Sequence, residues 1–148
     1  MKKTLLLLPM LLLALTGCKK EYFVERPNTN EPQWMIKDFE VRESHWLHAD
    51  DNDGLNGHFF FSFNVPGMSQ HIYNDGVIVA YLETEDYQQP LPVVRHNEAW
   101  DYEYDAQITW TRTIDYDFTS SAITFYVTNS DFFYERPETM RFRVVSLY

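Results

Sequence analysis

The chain has 148 residues, 22 acidic side chains against 12 basic ones, a net charge of −10, and 25 aromatic residues with one cysteine, Cys18. Such a charge repels anionic nucleic acid, and the basic residues form no cluster resembling a polynucleotide footprint, so nucleic acid is excluded as a partner. A single cysteine also excludes an internal disulfide, which leaves the aromatic-rich core to hold the fold unaided.

In chain order, Lys2 and Lys3 precede an apolar run from Leu5 to Leu15 that ends in Leu15-Thr16-Gly17-Cys18. A basic start, a short apolar run and small residues before a cut site read as an export signal over residues 1–17. The run is about half the roughly 20 residues of a spanning helix, and Pro9 interrupts it. Leu-Thr-Gly-Cys resembles the lipobox of bacterial lipoproteins, which implies cleavage before Cys18 and acylation of that residue. Cleavage leaves 131 residues with 10 basic and 22 acidic side chains, a net charge of −12. Residues 18–33 then read as the lipidated cysteine and a polar tether carrying Pro27 and Pro32, with a contour on the order of 50 Å.

From Trp34 the pattern changes to period-two alternation. Trp34 to Val41 is the first candidate strand. The segment His45-Trp46-Leu47-His48-Ala49-Asp50-Asp51-Asn52-Asp53-Gly54 follows, and His45, His48, Asp50, Asp51 and Asp53 make it the best metal candidate, with calcium as the cation. An EF-hand alignment fails at both ends, because Ala49 and Phe60 occupy ligand positions, and the same residues suit a solvated loop.

Phe59, Phe61, Phe63 and Val65 then share one strand face, opposite His58, Ser62 and Asn64, and Pro66-Gly67 closes the run. Met68 to Asn74 reads as two helical turns ending at Asp75-Gly76, the one short helix of the domain. Val77 to Leu82 is apolar on both faces and suits a central strand. Leu91 to Arg95 is a further strand, and Trp100-Tyr102-Tyr104 another candidate, in which rings flanked by Asp101, Glu103 and Asp105 suit either ligand stacking or edge packing. Ile108, Trp110, Ile114, Tyr116 and Phe118 alternate with polar residues, interrupted by Arg112, and pair across Thr119-Ser120-Ser121 with Ile123, Phe125 and Val127. Met140 to Leu147 closes the domain.

Seven or eight short antiparallel strands over residues 34–148 predict an all-β sandwich of the Ig-like or Greek-key type, since a lone sheet leaves one aromatic face wet. No Gly-x-Ser-x-Gly elbow and no His-Glu-x-x-His pair occurs, and the five histidines are scattered. The expectation is therefore a protein that is not an enzyme. Two carboxylates at catalytic separation in a cleft are what a small glycan hydrolase requires.

Asp75-Gly76-Val77-Ile78-Val79-Ala80-Tyr81-Leu82, Gln89-Pro90-Leu91-Pro92, Ile123-Thr124-Phe125 and Arg141-Phe142-Arg143-Val144-Val145 together resemble the ordered signature of small uncharacterised lipoproteins of Bacteroidota. The resemblance implies a compact β-domain on the outer membrane, held by lipid on Cys18, facing the periplasm or the cell surface. It carries over no catalytic residue and no cofactor. The expected role is a non-catalytic binding or accessory module in contact with envelope proteins, with a glycan-binding module or small glycan hydrolase as the alternative.

Overall fold

The computed structural model describes residues 33–148; the expected export signal, Cys18 and the expected tether as far as residue 32 fall outside the described residues. The domain is a two-layer antiparallel sandwich of nine strands: β1 (Trp34–Val41), β2 (Leu47–Ala49), β3 (His58–Asn64), β4 (Val77–Glu83), β5 (Gln88–Pro90), β6 (Val93–Asp101), β7 (Ala106–Phe118), β8 (Ala122–Asn129) and β9 (Met140–Leu147). One sheet has the order β1-β9-β4-β5 and the other β2-β3-β8-β7-β6. In the second sheet β3 lies beside β8 of the β6–β7–β8 meander, which is Greek-key order. Among the described residues no helix is long and apolar enough to cross a membrane.

Each inward face follows from strand alternation. Phe59, Ile114, Ile123, Phe125 and Val127 from the five-stranded sheet meet Val41, Ile78, Ala80, Leu82, Phe142 and Val144 from the four-stranded one. At the centre the rings of Phe125 and Phe142, both fully buried, stack with centroids 3.9 Å apart and 10° between planes. Buried Trp46 meets Phe142 edge-on at 6.4 Å and donates its indole N–H to the Glu138 carbonyl at 3.1 Å. The Tyr116 hydroxyl donates to the Ile78 carbonyl at 3.0 Å, a polar tie between the layers.

The helix α1 (Gln70–Asp75) starts at Ser69, whose Oγ accepts the Ile72 N–H, and buries Ile72. Gly76 ends it by donating its N–H to the Ile72 carbonyl at 2.9 Å. A Cβ at Gly76 meets that carbonyl oxygen at 2.6 Å and the Leu147 oxygen at 3.0 Å, so helix, β4 and β9 converge too closely for any other residue. Gly67 has φ +95°, the left-handed region that the turn after β3 requires.

Several elements refine or depart from the sequence expectation. β2 and β5, three residues each, lack the length for visible alternation, and a 3-10 turn over Glu43–His45 adds to the single helix. Trp100-Tyr102-Tyr104 is not a strand of its own: Trp100 lies in β6, and Tyr102 and Tyr104 lie in the turn to β7. Ile108 is 44 % exposed, and the apolar side of β7 reaches the core only from Ile114 onward. Strand β4 takes the central place expected of it, between β9 and β5, although it pairs with β5 only at Tyr81–Glu83 and its outward residues Val77, Val79 and Tyr81 keep solvent contact.

Candidate functional site

The β6–β7 hairpin outruns the sheet that carries it. Pairing between β7 and β8 stops at Arg112↔Asn129, whereas β6 and β7 stay paired from Val93↔Ile114 to Asp101↔Ala106. Thr111 is the last β7 residue tied to the β8 end, its carbonyl accepting from the Ser130 N–H and its N–H donating to Ser130 Oγ, both at 2.9 Å. Residues 106–110 and their partners 97–101 therefore form a free two-stranded ribbon, about 17 Å long at ~3.3 Å per residue. Along β6 the outer backbone edge pairs with no described strand.

The arm is internally braced. Gln107 donates to Glu98 at 2.7 Å and Thr111 hydrogen-bonds His96 at 3.3 Å. At the tip Asp101 Oδ1 accepts the N–H groups of Glu103 (2.8 Å) and Tyr104 (3.2 Å), and Asp105 takes φ 51°. Asp101 thus fixes the turn. The rings this turn displays are exposed: Trp100 50 %, Tyr104 74 % and Tyr102 89 %. Register places Trp100 with Val94, His96 and Glu98 on one side of the ribbon, and Ile108 and Trp110 with Asn97 and Ala99 on the other.

At the base of the arm a cleft of about 560 Å³ opens between the sheets, lined by Arg95, Arg112 and Arg141 together with Glu83, Glu85 and Glu138. Its charges are matched. Arg112 donates to Asn129 Oδ1 at 3.0 Å and pairs with Glu135 at 3.1 Å and Glu138 at 3.6 Å. Glu83 pairs with Arg143 at 3.2 Å and accepts from Gln88 at 2.9 Å. The ties pin the loop after β8 against the arm's foot, so the ribbon rises from a braced base.

The outward face of the five-stranded sheet carries a second polar cluster, His58, Asp115, Asp117 and Tyr126. The Tyr126 hydroxyl donates to Asp117 Oδ2 at 2.8 Å. Burial, followed by repulsion from Asp117, raises the Asp115 pKa above its ordinary value, with His58 opposing. Burial and the bond to Asp117 likewise raise that of Tyr126.

The residues singled out between 45 and 54 are held apart. His45 stacks on Phe61 at 5.6 Å, while His48 packs edge-on against Phe59 at 5.0 Å and Tyr134 at 4.7 Å. Asp51 accepts from the Asn56 amide and Asp53 from the Leu55 N–H at 3.1 Å, so both carboxylates order the loop, and Asp50 is exposed. Among the described residues no three His, Cys, Asp or Glu side chains converge to hold a metal ion.

The outward face of the four-stranded sheet escaped the sequence reading. Trp34 and Ile36 of β1, Val145 and Leu147 of β9, and Val77 and Val79 of β4 are register neighbours on three adjacent strands. No family model, curated protein or solved structure matches the chain.

Proposed function

We propose that this chain is a lipid-anchored protein of the bacterial cell envelope, of the kind found on the outer membrane of Bacteroidota, and that it works as a non-catalytic binding or accessory module. Cys18 carries the lipid, residues 19–33 form the tether, and the β6–β7 arm meets a protein partner. The observation that supports this reading is the arm itself: a ribbon standing clear of the sandwich, with a free nine-residue edge and three exposed rings at its end. An extended segment of a partner adds to such an edge through main-chain hydrogen bonds, and the rings supply side-chain contact. Tyr and Trp suit this task because they offer large contact area at little cost in conformational freedom.

A second reading rests on the same rings. Trp100, Tyr102 and Tyr104, interleaved with Asp101, Glu103 and Asp105, offer stacking faces beside hydrogen-bond acceptors, as a glycan requires. The two readings part in one experiment, cross-linking in intact cells followed by purification of the lipidated protein and mass spectrometry. A protein adduct that disappears in the triple variant Trp100→Ala, Tyr102→Ser, Tyr104→Ser supports the first. Retention of the same chain on envelope glycans, lost in that variant, supports the second. Cys18→Ala is expected to move the protein from the membrane fraction to the soluble one, and an unchanged membrane fraction contradicts the anchor.

A further inference from the structure

Strand β4 is apolar on both faces, yet nothing among the described residues covers its outer one. Trp34 (67 % exposed), Val77 (57 %), Leu147 (47 %) and Ile36 (46 %) form, with Val79, Val145 and Tyr81, one apolar half of the sheet's outward surface. Its exposed area is on the order of 500 Å², toward the upper end of what monomers leave open.

The other half of the same surface is charged but balanced. Arg143 pairs with Asp38 at 2.9 Å and with Glu83 at 3.2 Å, and Arg141 and Arg42 each reach Glu40 at 3.3 Å. Residues 33–148 contain seven basic and nineteen acidic side chains, a net charge of −12. Three of the seven and three of the nineteen lie in these pairs. Asp38, Glu40 and Glu83 are thus offset by Arg143, Arg141 and Arg42, and the charged half of this face carries no net charge.

We infer that the outward face of the four-stranded sheet rests on the lipid bilayer, its apolar half sunk to headgroup depth. The inference rests on the anchoring proposed above, and three observations select the bilayer as occupant. The described chain starts at Gln33, 15 residues after Cys18, and the residue that follows, Trp34, lies inside the apolar half. A face without net charge approaches an anionic or zwitterionic membrane unopposed, whereas the acidic remainder of the domain is repelled by an anionic one. The apolar area falls short of the ~800 Å² per partner of a standard protein interface, but suffices for a surface already tethered by lipid.

The orientation has a consequence. Trp34, Leu147 and Val77 lie at one end of the strands, whereas Glu40, Arg141 and Glu83 lie at the other, beside the cleft from which the arm rises. Sinking the apolar half deepest tilts the strands, so that the end carrying the β6–β7 ribbon is lifted from the bilayer.

The test uses the full chain, processed and lipidated in a bacterial host and reconstituted on phosphatidylcholine vesicles. With Cys18 acylated, a cysteine placed at an exposed position is the sole free thiol. Nitroxide labels go on Val77→Cys and Ile36→Cys, and on Thr109→Cys of the arm as the water-exposed control. The expected result is that labels at 77 and 36 lose most of their access to a water-soluble nickel chelate and gain access to oxygen, unchanged by high salt, while the label at 109 stays open to the chelate. Labels at 77 and 36 as chelate-accessible as that at 109, on protein that co-sediments with vesicles, overturn the inference and leave the anchor standing. Spin–spin broadening at 77 assigns the face to a second copy and also overturns it. Failure to co-sediment removes the anchor and the inference together.

Discussion

Removing the Phe142 ring is the sharpest test of how the two sheets are held. Phe142 is fully buried, lies 3.9 Å from the Phe125 ring in a stacked pair, and takes the edge of Trp46 at 6.4 Å. Truncating a buried phenylalanine to alanine costs about 3–5 kcal/mol through lost burial and the cavity left behind. The stacked pair adds about 0.5–1.5 kcal/mol of coupling that a double-mutant cycle with Phe125→Ala isolates. We therefore expect Phe142→Ala to lose about 4 kcal/mol, against roughly 6–17 kcal/mol for a domain of this size. With a urea dependence of ~2 kcal/mol per molar, the midpoint falls by about 2 M. Tryptophan fluorescence reads the transition, since Trp46 is 1 % exposed and moves into water on unfolding. Phe133→Ala, at a ring 71 % exposed, serves as the control and is expected to change stability by less than ~0.5 kcal/mol. A loss below ~1.5 kcal/mol for Phe142→Ala, or one no larger than the control's, refutes the account of the core.

Two further substitutions probe polar groups. Ser146 is fully buried on the inward side of β9 and its hydroxyl has no hydrogen-bond partner among the described residues, so Ser146→Ala is expected to raise stability by about 1 kcal/mol in the same urea assay, and a loss contradicts this. Burial raises the Asp115 pKa, so the fold disfavours the ionised carboxylate; this penalty is complete above the raised value and vanishes below the unfolded pKa of about 3.9. Asp115→Asn is accordingly expected to be more stable than the parent at pH 7, by a few tenths of a kcal/mol after solvent screening, with the gap closing toward pH 4; a gap that widens on acidification contradicts the sign.

Alternation made most of the sandwich legible. Phe59, Phe61 and Phe63 on one strand, Ile123, Phe125 and Val127 on another, and the Ser69-to-Gly76 helix punctuation each state locally what the fold does globally. β2 and β5 were illegible because three residues cannot show a period, and their pairing is decided by neighbours distant in sequence. The arm was half legible: its rings and turn residues stood out, but an alternation that covers a core and one that lines a free ribbon look alike until the length of β8 is known. Only the stop at Asn129 separates Ile114, buried, from Ile108, exposed. Val77 to Leu82 read as a central strand and is one, between β9 and β5, but what lies over its outer face was not legible. Apolar residues on both faces mark a strand that is covered twice, and the sequence does not say whether the second cover is protein.

The central claim is that the arm meets a protein partner, and site-specific photo-cross-linking in intact cells tests it most directly. A benzophenone amino acid is placed at Tyr102 on the arm's tip, at Val94 on its edge strand, and at Asp51 in the loop between β2 and β3. The account predicts a protein adduct of one discrete mass from positions 102 and 94, none from 51, and its loss when Trp100 is replaced by alanine. Equal labelling from all three positions, or no protein adduct from 102 and 94, contradicts it.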